Sequence, residues 1–311
     1  MEKIAVIGAG LIGRAWAMVF ARAGHPVALY DAAPGAVDQA IGLIRDGLAE
    51  TRHFGLIEES PDAIMPRIRA ATSLEDAIAE ADYVQENTSE REDVKRDVFS
   101  KMDAAAKADC ILASSTSTIQ TSRFAGHVPG RHRCLVAHPV NPPHVVPIVE
   151  LSPAPFTSPD VVERARVLHE SVGQVPILVR KEVEGFILNR LQAALLIESW
   201  RLVDEGYVSV EDLDKTIRDG LGLRWAFMGP FETIDLNAPG GVADYAVRYG
   251  PKLTGMMQDL TARPWEGDLV AKVEAERRER MPQADHAARE AWRDRRLMAL
   301  VAHKRTMDGQ D

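Results

Sequence analysis

Ile4-Ala5-Val6-Ile7-Gly8-Ala9-Gly10-Leu11-Ile12-Gly13 opens the chain as a short apolar run that breaks into three spaced glycines and then continues with helical apolar periodicity. This strand–turn–helix pattern is the fingerprint of a dinucleotide-binding turn. Gly8 permits the tight turn, Gly10 lets the backbone approach a pyrophosphate, and Gly13 lets the new helix pack closely on the strand. The helix that starts at Leu11 and Ile12 then points its free N–H groups at the phosphates. A second apolar run, residues 26–30, ends in Asp31, about 20 residues downstream, where a carboxylate accepts both ribose hydroxyls. Asp31 repels a 2′-phosphate, and Ala32-Ala33-Pro34 supplies no arginine to receive one. The cofactor expected is therefore NAD.

Outward from this turn, residues 1–184 alternate strand-like runs with helical patterns. The runs are Ile4–Ile7, Val27–Tyr30 and residues 83–85, 110–113, 134–137 and 177–179. Such alternation predicts an α/β, Rossmann-type, doubly wound parallel sheet with helices on both faces. Residues 35–69 read as a long polar helical stretch, a helical pair projecting from the sheet. Residues 137–151 carry Pro139, Pro142, Pro143 and Pro147, which reads as a rigid loop leading into an edge strand. From residue 185 to 311 the strand signal fades and helical periodicity predicts an all-α C-terminal domain. Its first helix, residues 186–205, is apolar around most of its circumference, through Leu188, Leu191, Leu195, Leu196 and Ile197. That implies burial beneath other helices or in a subunit interface. The terminal helix, residues 285–305, belongs to such an interface or folds back on its own domain.

The chain's 311 residues suffice for two ordinary domains without metals or disulfides. With 37 Lys and Arg against 46 Asp and Glu, the net charge of −9 argues against a nucleic-acid or anionic-membrane surface and leaves room for a small anionic substrate. Cys110 and Cys134, each in an apolar run, read as buried thiols of a reducing compartment. No secretory pattern and no apolar stretch of membrane-spanning length stands out, so a soluble cytoplasmic protein is expected.

With hydride transfer left to the cofactor, the protein must orient a substrate carbon and take up the alcohol proton. Among nine histidines, His138 directly follows an apolar strand and enters the proline-stiffened loop Pro139-Val140-Asn141-Pro142-Pro143-His144. Ligands of open α/β sheets collect beyond such carboxyl strand ends. Glu150, twelve residues on, closes another apolar run, where an acid needs a partner. A His138–Glu150 pair fits, the carboxylate fixing the imidazole tautomer and making it a better proton acceptor. Ser117, in the hydroxyl run Ser114-Ser115-Thr116-Ser117-Thr118, is placed to bond a substrate oxygen, although such runs also cap helices. Asn189 is an amide near the start of an otherwise apolar helix and demands a partner.

Gly8–Gly13, Ser114–Thr118, His138-Pro139-Val140-Asn141-Pro142 with Glu150, and Gly185–Leu191 together resemble, in order and spacing, the 3-hydroxyacyl-CoA dehydrogenase superfamily over nearly the whole chain. The resemblance implies that His138 is the catalytic base and Glu150 its partner. It implies that Ser117 and Asn189 bind the substrate oxygen, and that Ser117 and Asn141 also lie against the cofactor. Glu90 and Lys95 match positions that contact NAD in such proteins; without the resemblance they read as a charged pair on a helix surface.

The stretches 137–143, 181–186 and 220–230 look like the lambda-crystallin branch, whose enzymatic members are L-gulonate 3-dehydrogenases. Pro139 and Val140 stand where the CoA-specific branch usually carries two aromatics. Arg224, before Trp225 and Gly229-Pro230, suits a substrate carboxylate, or caps its helix at the surface. The expectation is NAD-dependent oxidation of the 3-hydroxyl of an acidic small molecule, foremost L-gulonate, by a homodimer without a metal. L-Carnitine and 3-hydroxybutyryl-CoA dehydrogenases share the same chemistry. A non-catalytic, crystallin-like NAD-binding protein is the remote alternative.

Overall fold

A computed structural model describes residues 1–258, 260–262 and 264–307. Eight strands form one sheet: β1 (Ile4–Ile7), β2 (Val27–Tyr30), β3 (Ile68–Ala70), β4 (Tyr83–Glu86), β5 (Ile111–Ser114), β6 (Cys134–Pro139), β7 (Ile148–Pro153) and β8 (Val175–Leu178). Their order is β3-β2-β1-β4-β5-β6-β7-β8. All neighbours run parallel except β6 and β7, which are antiparallel. The order reverses between β1 and β4, the topological switch point where such sheets bind ligands.

Side chains alternate between the two faces of each strand, and both faces are buried. Ile4 and Val6 join Trp16, Phe20, Leu29 and Ile44 in one core. Ala5 and Ile7 join Ile78, Val84, Phe99 and Phe124 in the other. The expected helices on both faces are therefore present.

Two local expectations are corrected. The stretch 35–69 is helical only through Ala36–His53; after a one-turn helix, Pro61–Ile64, it ends in strand β3. β3 has three residues with only Ile68 buried, so no alternation marks it in the sequence. The segment after His138 leads not to an edge strand but to interior β7, flanked by β6 and β8. Its prolines sit in the connecting loop or at strand ends, where no ladder N–H is needed.

The chain divides into two compact units. The first is Met1–Asn189, joined by the terminal helix from Glu290 onward. From Glu290 onward the terminal helix, His286–Met307, packs on the first unit: Met298 is buried with Leu56 and Val145, and the Arg305 guanidinium donates to the Leu56 carbonyl at 2.9 Å. The second unit, Arg190–Arg289, is helical among its described residues. The stacked Trp200 and Trp265 rings and an Arg277–Asp214 ion pair tie it together. The helix Leu188–Asp204 fully buries only Val203; Leu191 is 64% exposed, while Leu195, Leu196 and Ile197 are half-buried.

Candidate active site

At the end of β1 the chain turns through Gly8 at φ +94°, a backbone state that costs glycine nothing. A Cβ on Gly8 would lie 2.7 Å from the Asn87 carbonyl oxygen, and one on Gly13 would run into the Gly8 carbonyl. Gly10 differs, since a Cβ there would meet nothing within 4 Å. Its openness faces a cavity of about 600 Å³ lined by Gly8, Gly10, Asp31, Asn87 and Thr88 among others. The helix Leu11–Arg22 has no side-chain N-cap and no acid in its first turn, which leaves its N-terminal amides for an anion.

Asp31 accepts the Ala9 N–H on one carboxylate oxygen at 2.7 Å and the Ala33 N–H on the other at 2.8 Å. Each oxygen keeps a lone pair for a ribose hydroxyl. The turn, the open helix end and the acid all fit a dinucleotide. Leu11 is 55% exposed at the turn, whereas Ile12 packs against the core, so their backbone N–H groups are what they can offer a phosphate.

His138 and Glu150 face one another directly across the antiparallel β6–β7 pair. The imidazole Nδ1 lies 2.8 Å from Glu150 Oε2, with both side chains buried. The other oxygen, Oε1, accepts the N–H groups of Ile187 and Leu188 at 2.9 and 3.0 Å. Those donors converge because Gly185 and Phe186 both take positive φ, +74° and +50°. Positive φ is strained for Phe186, whose ring is fully buried 5.4 Å from the His138 ring.

Burial alone would raise the Glu150 carboxyl. The hydrogen bonds from His138, Leu188 and Ile187 and the histidine's charge outweigh it and hold the group below its ordinary range. An ionised Glu150 only accepts, so Nδ1 carries the proton and Nε2 is left as a base.

One residue beyond Leu188, the Asn189 amide donates to the Ser117 carbonyl at 2.8 Å. Glu90 Oε1 holds the same loop from its other side, accepting the N–H groups of Ser117 and Thr118 and the Thr116 hydroxyl. Segment 186–189 thus joins the His–Glu pair to the Ser117 loop. Ser117 is exposed, as is Asn141 beyond β6.

Lys95, matched by the resemblance to a position that contacts NAD, is not a charge on the helix surface. It is 1% exposed and bonded to both carboxylate oxygens of Glu86, and it does not line the cavity. Glu86 also accepts from Ser114 and Thr88. Arg224 is exposed on the short helix Gly222–Trp225 of the helical unit.

Sequence reasoning did not single out Asn87 and Thr88 at the cavity, nor the buried polar residues Gln85 and Glu86. The available signal was a Gln-Glu-Asn-Thr run finishing an otherwise apolar strand. Among the described residues no cluster of His, Cys, Asp and Glu is suited to a metal, and no helix is long and apolar enough to cross a membrane.

Comparison with known proteins assigns the geometry. Residues 3–183 match the NAD binding domain of 3-hydroxyacyl-CoA dehydrogenase and residues 185–281 match its C-terminal domain. The chain is 42% identical to a lambda-crystallin homolog of Bos taurus over 97% of this chain and 95% of that one. It is 34% identical to L-carnitine dehydrogenase of Pseudomonas putida over 97% and 93%. A solved NAD+-dependent 5-formyl-3-hydroxy-2-methylpyridine 4-carboxylic acid 5-dehydrogenase, 29% identical, superposes with a TM-score of 0.85 and 99% coverage of both chains. With both domain families matched in order along the sheet and the helical unit, the chain belongs to the 3-hydroxyacyl-CoA dehydrogenase family and is an NAD-dependent dehydrogenase acting on CH–OH groups.

Proposed function

We propose that this protein oxidises the 3-hydroxyl of a small acidic molecule other than a CoA ester, most specifically L-gulonate to 3-dehydro-L-gulonate. The observation that carries the catalytic part is the buried His138–Glu150 pair at the carboxyl end of β6. NAD, which the Gly8–Gly13 turn and Asp31 would hold, would supply the hydride acceptor. His138 Nε2 removes the hydroxyl proton, and Glu150, holding Nδ1–H, stabilises the imidazolium that forms. Ser117 and Asn189 bind the reacting oxygen, with Glu90 holding the Ser117 loop in place; Asn141 borders the cofactor.

Support for a carboxylate substrate comes from the relatives that align over nearly the whole chain, since L-carnitine and the pyridine 4-carboxylic acid both carry that group. The lambda-crystallin likeness favours gulonate over carnitine. Arg224 grips the carboxylate in this reading. A domain boundary near residue 184 separates cofactor binding from the helical part that shapes the substrate site and the subunit interface. The apolar residues that the helical unit exposes, including Leu223, Phe227, Phe231 and Val247, fit a homodimer. Buried free Cys110 and Cys134, with thiols pushed up to about 12 by burial, suit the cytoplasm.

Initial rates of NADH formation with L-gulonate, L-carnitine and 3-hydroxybutyryl-CoA test the substrate. Preference for gulonate supports the proposal, while preference for the CoA ester overturns it. His138→Gln should remove turnover while NAD affinity persists, and activity surviving that change refutes the assignment of the base. Arg224→Met should raise KM for the acid alone, and a monomer in sedimentation would rule out the dimer.

A further inference from the structure

A buried polar chain runs beneath the site, and its proton positions are fixed by its own chemistry. Gln85 is fully buried on the β4 face that also carries Tyr83. Its Nε2 lies 3.1 Å from the Ala137 carbonyl on β6 and 2.7 Å from Ser115 Oγ. Reaching β6 from β4 means crossing β5. The register sets Ala113 opposite Gln85, and that small side chain leaves the passage.

Only the amide nitrogen can face the Ala137 carbonyl, so Oε1 faces the Tyr83 hydroxyl at 2.8 Å and must accept from it. With its one proton spent on Gln85, Tyr83 accepts from His169 Nε2–H at 2.9 Å. His169 is therefore a neutral Nε2–H tautomer whose buried Nδ1 has no partner. On the other side, Ser115 Oγ accepts from Gln85 and from the Trp16 indole at 3.0 Å, so its own proton goes to Asn87 Oδ1 at 2.7 Å. Asn87 Nδ2 in turn donates to the carbonyls of Ile7 and Gln85 at 3.2 and 2.8 Å.

The two ends of this chain are the two halves of the site. Asn87 lines the cofactor cavity and its carbonyl closes on Gly8. Ala137 shares a peptide group with His138.

We infer that Gln85 is a positioning residue that couples the cofactor cavity, through Ser115 and Asn87, to the strand end bearing His138. Hydride transfer requires the two reacting carbons to be held within about 3.5 Å, where a small misplacement is costly. Gln85 fixes the register of the two supports on which those carbons rest. It touches neither reactant. The inference rests on His138 as the base but not on the choice of gulonate, because its kinetic arm uses whichever substrate turns over and its binding arm uses NADH alone.

Gln85→Leu keeps the volume and removes every hydrogen bond of the link. Per folded protein it should lower kcat about tenfold or more. Gln85→Glu donates to the chain only when protonated, so its activity relative to wild type at the same pH should recover as pH falls, which a packing role would not produce. Ser115→Ala cuts only the branch to Asn87 and should weaken NADH binding, read by fluorescence titration, by more than about threefold. A kcat for Gln85→Leu within about fivefold of wild type overturns the inference. If that variant does not fold, an unchanged NADH affinity in Ser115→Ala does the same.

Discussion

The Lys95 ammonium sits 3.0 Å from each carboxylate oxygen of Glu86, with both side chains out of contact with solvent. Removing one partner of such a pair leaves an uncompensated buried charge, which costs about 3–5 kcal/mol. Lys95→Met should therefore cost that much in urea unfolding, and the Glu86→Gln/Lys95→Met double variant should recover a large part of it. NAD binding should weaken with the same variant because Glu86 holds Thr88 at the cavity wall. A single variant within about 1 kcal/mol of wild type would show that the pair is not the anchor of this strand end.

Gly10 separates folding from cofactor binding. Nothing lies within 4 Å of a Cβ there, and its φ of −67° suits any L-residue. Gly10→Ala should fold with an unchanged Tm yet bind NADH at least about tenfold more weakly, because the added methyl occupies the approach of the pyrophosphate. Gly13→Ala should instead damage the fold itself, since its methyl meets the Gly8 backbone. Equal NADH affinity in Gly10→Ala and wild type would displace the pyrophosphate from this turn.

Two histidines make stability sensitive to acid. Burial pushes His169 down to about 3, and burial with the nearby Arg22 charge pushes His144 down to about 4. Both values lie below the ordinary 6.5, so the unfolded chain binds more protons than the folded one across the interval between them. Their contribution is complete above about pH 6.5 and is lost as pH falls toward 4 and 3, at about 1.4 kcal/mol per pH unit for each. His169→Gln retains a donor for Tyr83 but does not titrate. Between pH 7.5 and 5.0 wild type should lose about 2 kcal/mol more than this variant. Parallel stability–pH curves would mean that His169 is not held neutral.

The elements legible in the sequence were those whose signals are local. Gly8-Ala9-Gly10 and Asp31 could be read because a turn and its acid are specified by neighbours in the chain. The helices were visible as long stretches of 3.6-residue periodicity. β3 was not legible, because three residues with a single buried side chain carry no period. The terminal helix was legible as a helix, but its packing place was not. Its partners Leu56 and Val145 are far away in sequence, and its own pattern is mostly charged. At the site, His138 and Glu150 could be paired because each ends an apolar run. Lys95 is a charge on an amphipathic helix, and only the fold reveals that it points inward at Glu86. Gln85 followed the same logic, its meaning fixed by Ala113 across the strand pair.

Glu150 makes the sharpest demand on its side chain. One oxygen accepts from His138 and the other accepts two backbone N–H groups, so all three contacts require an acceptor. Glu150→Gln cannot meet that demand, although it is nearly the same size. If its amide nitrogen turns toward Ile187 and Leu188, donor faces donor. If it turns toward His138, the imidazole must give up Nδ1–H and take the Nε2–H tautomer, which has no lone pair at the position that receives the substrate proton. The first outcome sets a donor against the two backbone N–H groups that seat the side chain and the second removes the base, so kcat should fall, by about 10²–10⁴-fold where the base is lost. The cofactor cavity is built from other residues, so NADH affinity should stay within about twofold of wild type. Steady-state rates beside an NADH titration measure both quantities. A Glu150→Gln enzyme of near-normal kcat would mean that His138 does not depend on the carboxylate for its tautomer.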